Sequence, residues 1–111
     1  MAIAVSTVSD PVQMVKALRS AVEPGLPYGP SLIPLDILIA VTAAARDDEP
    51  LTVRQLLDAL PHSVTGTRYN LKRLIADGWV ERTRAEWDRR IVFLLPTERT
   101  VKAFQAMAAA L

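Results

Sequence analysis

The chain has no cysteine, one histidine, four glycines and only two each of Trp, Tyr and Phe among its 111 residues. Without cysteine there are no disulfides, no thiolate metal sites and no thiol nucleophiles. The single histidine, His62, leaves no His cluster for a catalytic metal. No glycine-rich phosphate loop is present, no Ser or Thr has a base at recognisable spacing, and the carboxylates are scattered over polar faces, so an enzyme is not expected. No window approaches the roughly 20 apolar residues needed to span a bilayer. The longest apolar run, "LDILIAVTAAA", carries Asp36 and has the length of a buried core helix. The start, "MAIAVSTVSDP", lacks the basic region and longer apolar stretch of a signal peptide, so a cytoplasmic protein is expected. With few aromatics, the core must be built from Leu, Ile, Val and Ala.

What is there is a globular composition. Half of the residues are hydrophobic and the formal net charge is +1, which is far from the signature of a disordered chain. The length suits one domain, residues 1–111, with a modest core. The charge is unevenly placed. Residues 1–61 hold four basic and seven acidic side chains, a net of −3, whereas residues 62–111 hold nine basic and five acidic ones, a net of +4. A basic half points weakly to a polyanionic partner.

Asp10-Pro11, with Gln13 three residues after the cap, opens a first helix. Val12, Val15, Leu18 and Val22 recur on it at helical spacing and predict one buried face. "EPGLPYGP" ends that helix as a stiff loop. A second helix runs from Ser31 or Pro34 to Arg46 and is apolar nearly all round, as a central helix would be. Thr52-x-x-Gln55 is a capping-box pattern opening a short helix closed by Pro61.

Next, Thr65 is expected to cap a helix that buries Thr67, Leu71, Leu74 and Ile75 and stops at Gly78. Tyr69, Arg73 and Ala76 fall opposite that face, Thr65 and Lys72 on its shoulder and Arg68 on the flank. A short helix ending in Pro, a four-residue turn and a helix with a basic outer face form a helix-turn-helix pattern. "WVERTR" and "IVFLL", joined by "AEWDRR", read as a β-hairpin. Thr97 then caps a last helix striped by Val101, Phe104, Met107 (or Ala108) and Leu111.

That order gives a mainly α fold with a small β-hairpin (α+β): a winged helix-turn-helix of five helices and a two-stranded wing. Residues 35–100 resemble MarR-type transcriptional regulators. The likeness is strongest in "LKRLIADGWVERTRAEWDRRIVFLLPT". It is similar to the family's Leu-x-x-Gly-Leu-Val-x-Arg, charged turn, Asp-x-Arg, strand and Leu-Thr entry to the next helix. Those positions are Leu74, Gly78, Trp79, Val80, Arg82, Asp88, Arg90, Leu95 and Thr97; Trp79 replaces Leu, and Pro96 stands between Leu95 and Thr97.

The resemblance implies a DNA-binding regulator, most simply a repressor, with no cofactor. A helix fits the major groove, and outer-face side chains reach base edges and phosphates. Thr65, Thr67, Arg68, Tyr69, Lys72 and Arg73 are the expected DNA-binding residues of the helix. Arginine suits the narrow, negative minor groove, which makes Arg89 and Arg90 the expected contacts of the wing. In the family pattern the Asp orients the wing arginine, so Asp88 is expected to hold one arginine while Arg90, with or without Arg89, projects to DNA.

The expected organisation is a flexible N-terminus over 1–9, dimerisation helices over 10–23 and 97–111, and the helix-turn-helix and wing over 52–95. Double-stranded DNA and a second copy of the chain are the expected partners, with room for a small-molecule effector that no residue identifies. The competing reading is a winged helix used as a protein-interaction or assembly module, since fold does not fix function.

Overall fold

The computed structural model describes residues 11–25, 27–29 and 31–111. Among them are five α-helices, α1 (Pro11–Val22), α2 (Ile33–Arg46), α3 (Val53–Ala59), α4 (Val64–Ala76) and α5 (Glu98–Ala109), and two strands, β1 (Val80–Arg84) and β2 (Val92–Pro96). A 3₁₀ turn, Glu23–Gly25, follows α1. The expected Asp10 cap and the 1–9 segment lie outside the described residues, as does the side chain of Val15.

The central helix is α2. Pro34 lies in its first turn, where a missing N–H costs nothing. Ile37, Leu38 and Val41 are at most 1% exposed. They meet Leu56 of α3, Leu71 and Leu74 of α4, Val80 of β1 and Leu94 of β2 in a single core. Truncating any of these to Ala would cost about 2–5 kcal/mol. The helix begins at Ile33 rather than at Ser31, whose Oγ accepts from the Ile33 N–H.

The capping box of α3 forms as its spacing predicts. Gln55 N–H donates to Thr52 Oγ1 at 3.2 Å and Thr52 N–H donates to Gln55 Oε1 at 2.9 Å. Helix α4 differs from expectation at its start: the cap is Ser63, not Thr65, with Gly66 N–H donating to Ser63 Oγ at 3.0 Å. Thr65 lies inside the first turn. The far end of α4 is a Schellman stop. Gly78, at φ 80°, takes the left-handed conformation, and the N–H groups of Gly78 and Trp79 donate back to the carbonyls of Ile75 and Leu74.

The hairpin pairs Val80 with Pro96 through to Arg84 with Val92, antiparallel. On its other side Leu94 N–H donates to Leu51 O at 2.8 Å, and Thr52 bridges Phe93. Helix α5 is fastened to the stop of α4. Thr97 Oγ1 donates to Gly78 O and Thr100 Oγ1 to Trp79 O, both at 2.6 Å, while Arg99 Nη1 donates to Asp77 O at 2.7 Å. Thr97 therefore holds the N-cap position, but its hydroxyl satisfies a carbonyl after α4 instead of capping α5. Arg99, lying at the negative end of α4, also stacks on Trp79 with its guanidinium carbon 4.0 Å from the ring centre.

The single chain leaves part of the apolar faces of its terminal helices uncovered. Leu18 of α1 and Val101 of α5 are each 39% exposed and Leu111 is 46% exposed, while Ala21 and Met107 are buried. Amphipathic spacing marks the apolar side of a helix; it does not supply a neighbour. The radius of gyration, 15.6 Å, exceeds the about 13 Å expected of a compact chain of this length. Four helices, a hairpin wing and a closing helix make this a winged helix.

Candidate nucleic-acid interface

A helix turns about 100° per residue, so Arg68, Lys72, Thr65, Ala76, Tyr69 and Arg73 fan over an arc of about 140°. All six are exposed, with Tyr69 at 61%. The opposite side, Thr67, Asn70, Leu71 and Leu74, is buried against the core. Thr67 was expected among the DNA contacts as well as in the buried face, and only the second holds. It is 1% exposed, so its hydroxyl cannot reach a ligand in the groove of another molecule. Asn70 is turned inward too, donating to Gly66 O at 2.9 Å.

The helix-turn-helix turn is fixed from behind. His62 Nε2 lies 2.6 Å from Asp36 Oδ2, which ties the residue before the Ser63 cap to the first turn of α2. This places His62 in the turn, as its position after Pro61 predicts. It also gives the residue a partner that no local pattern shows.

In the wing, Asp88 and Arg90 form a chelate. Arg90 Nε donates to Asp88 Oδ1 at 3.0 Å and Nη2 to Oδ2 at 2.8 Å, and the Arg90 backbone N–H also donates to Oδ1 at 3.0 Å. The arginine that Asp88 holds is thus Arg90 itself. Charge-assisted bidentate pairs of this kind add direction as well as energy. The hydrogen bonds from Arg90 hold the Asp88 carboxyl below the usual carboxylate range. The Arg90 side chain is 90% exposed, so the chelate orients the guanidinium without covering it. Arg89 is exposed, and its carbonyl accepts from Arg84 Nη1 at 2.6 Å, closing the loop across the hairpin. Trp87 is 75% exposed and packs its ring 6.0 Å from that of Phe93.

One residue of this surface is absent from the sequence reading. Tyr28, in the loop between α1 and α2, donates its hydroxyl to Asp77 Oδ2 at 2.5 Å. The Arg73 guanidinium lies 3.9 Å over the Tyr28 ring and 5.5 Å from the Tyr69 ring. Burial, then the hydrogen bond to Asp77, push the Tyr28 phenol up to about 12. The only sequence signal was an aromatic residue inside a Pro- and Gly-rich loop.

Among the described residues there is no group of three or more carboxylate or histidine side chains able to hold a metal, and no helix long and apolar enough to cross a membrane. A groove of about 530 Å³ runs between α2 and α5, lined by Ile39, Thr42, Arg46, Val101, Phe104 and Gln105 among others.

Comparison with known proteins gives a consistent picture. The family model described as "MarR family" matches residues 28–91. The fold is similar to that of a mutant of MepR from S. aureus bound to an oligodeoxyribonucleotide, with TM-score 0.66 and 15% identity over 88% of this chain and 70% of that one. It is similar to a transcriptional regulator from Thermotoga maritima, with TM-score 0.65 and 25% identity over 89% of this chain and 66% of that one. The Multiple Antibiotic Resistance Repressor, MarR, aligns with TM-score 0.62 and 24% identity over 89% of this chain and 71% of that one. No curated protein sequence matches the chain significantly.

Proposed function

The chain belongs to the MarR family, and from that premise we propose that it is a transcriptional repressor that binds duplex DNA as a dimer. The observation that carries this reading is the exposed arc of α4, where Thr65, Arg68, Tyr69, Lys72 and Arg73 stand free of the core while Thr67, Asn70, Leu71 and Leu74 of the opposite side are buried. This arc would enter the major groove, with hydroxyls and cations reaching base edges and phosphates. Arg90, aimed by Asp88, would enter the adjacent minor groove, where arginine is favoured, and Arg89 would stand beside it on the wing. Thr67 has no part in this interface.

The dimer is supported by the apolar surface left on the terminal helices and by the extended shape of the single chain. The α1 and α5 segments would form the subunit contact, and residues 52–95 the DNA-reading unit. Two such units across a two-fold axis would read half-sites about one helical turn, ~34 Å, apart. The relatives are described as transcriptional regulators and a repressor, and no catalytic role is proposed.

The test is fluorescence anisotropy with a labelled mixed-sequence duplex of about 30 base pairs, three helical turns. The parent should bind at low salt and weaken steeply as salt rises, because phosphate neutralisation releases counterions. Arg90→Ala and Lys72→Ala should each bind more weakly while keeping the parent's circular dichroism spectrum. If the parent does not bind the duplex even at low salt, the reading is wrong and an assembly module becomes the better account.

A further inference from the structure

We propose that Tyr28, which lies outside both the helix-turn-helix and the wing, is a positioning residue of the DNA interface, presenting Arg73 to the nucleic acid. The inference rests on the DNA-binding reading above and extends it to a residue in the α1–α2 loop. Arg73 is on the last turn and a half of α4, where a long exposed side chain with nothing beside it would sample many rotamers. Here its guanidinium carbon lies 3.9 Å over the centre of the Tyr28 ring and 5.5 Å over that of Tyr69. Stacking on a ring face leaves the edge of the guanidinium fork, with its N–H donors, directed away from the ring. Arg73 can therefore be ordered by the protein and still present donors to a phosphate.

The stack needs Tyr28 itself to be immobile, and its loop provides little secondary structure to make it so. Two contacts fix it: the half-buried ring packs against the core, and the hydroxyl donates to the Asp77 carboxylate at 2.5 Å. Asp77 is the C-cap of α4, and its carbonyl is held in turn by Arg99 of α5. The hydrogen bond serves a second purpose at the interface. Asp77 is a negative group at the end of a helix meant to approach phosphates. Engaging its carboxylate with a phenol gives that charge a hydrogen-bond partner within the protein. Burial first, and then this hydrogen bond, raise the phenol pKa, so the hydroxyl stays protonated as the donor. Tyr28 thus acts on a cation of the α4 arc that lies over two aromatic rings.

The test is a double-mutant cycle in DNA affinity, read with the mixed-sequence duplex of about 30 base pairs. Tyr28→Ala should weaken binding about three- to ten-fold, the range expected from losing one ordered cation at a partly exposed site. Tyr28→Phe keeps the ring and should lie between Tyr28→Ala and the parent. Arg73→Ala should reduce the slope of log affinity against log salt by about one, and Tyr28→Ala should reduce it partway in the same direction. In the Arg73→Ala background, Tyr28→Ala should then add less than about two-fold. A purely structural role predicts something else: a lower melting temperature, an unchanged salt slope and an equal loss of affinity with or without Arg73. That pattern overturns the proposal, as does a Tyr28→Ala protein that binds like the parent. The two readings fail separately. If the parent binds DNA and Arg90→Ala weakens it while the Tyr28 cycle is additive, only the role of Tyr28 is lost. If the parent ignores duplex DNA, both are.

Discussion

Replacing Gly78 with alanine isolates the cost of ending α4. Gly78 has φ 80°, and a Cβ built on it meets no atom within 4 Å. Any loss therefore comes from the backbone conformation and not from a clash. A left-handed conformation costs an L-residue about 1–2 kcal/mol, and alanine recovers part of this by restricting the unfolded chain. The net loss should be about 1 kcal/mol. Near 60 °C a chain of this length unfolds with an entropy of about 0.23 kcal/mol/K, so the melting temperature should fall by about 4 °C. Gly78→Asn should fall by roughly half as much, since Asn tolerates this region. Thermal unfolding followed by circular dichroism, at one fixed protein concentration, measures both. An alanine variant as stable as the parent would refute the assignment of a left-handed stop. A loss above about 3 kcal/mol would instead mean that Gly78 is packed against something.

Two further outcomes follow from the same structure. Because the folded protein holds the Tyr28 phenolic proton to about 12 against an ordinary 10.0, stability is fully present below pH 10 and should be lost as pH rises from 10 towards 12; Tyr28→Phe should flatten that window in alkaline denaturation curves. Leu18→Asp and Val101→Asp place a charge on the exposed apolar faces of α1 and α5, and each should shift sedimentation towards a single chain of 12.2 kDa while keeping the parent's circular dichroism spectrum. If the parent itself sediments as a monomer, the proposed dimer is excluded.

Much of this architecture was legible because it is local. The Thr52–Gln55 box, the glycine stop at Gly78 and the buried face of α4 each depend on residues within one or two helical turns, and each appears where its spacing predicts. The Asp88–Arg90 pair, two residues apart, forms as the family resemblance implies. The errors also have physical causes. Ser63 and Thr65 both offer a capping hydroxyl, and the His62–Asp36 contact next to Ser63 brings in α2, which sequence spacing does not report. Thr67 has a polar side chain on a buried face; its chemistry suggested a contact, but its helical phase decided its place. Tyr28 meets Asp77 across 49 positions of sequence, from a loop with no periodicity to extrapolate. The exposed faces of α1 and α5 show the complementary limit. An apolar stripe is visible in one chain, but whatever covers it need not belong to that chain.

Thr52 occupies two structures at once. It is the residue that bridges Phe93 of the wing, and it is the cap that starts α3. A residue shared in this way is a weld. The wing cannot swing relative to the helix-turn-helix without breaking either the bridge or the capping box, and α5 is likewise fixed to the end of α4 through Thr97, Arg99 and Thr100. Residues 51–100 are therefore expected to move as one rigid body. In the proposed dimer, any adjustment of the distance between the two copies of this unit must therefore be taken up outside residues 51–100.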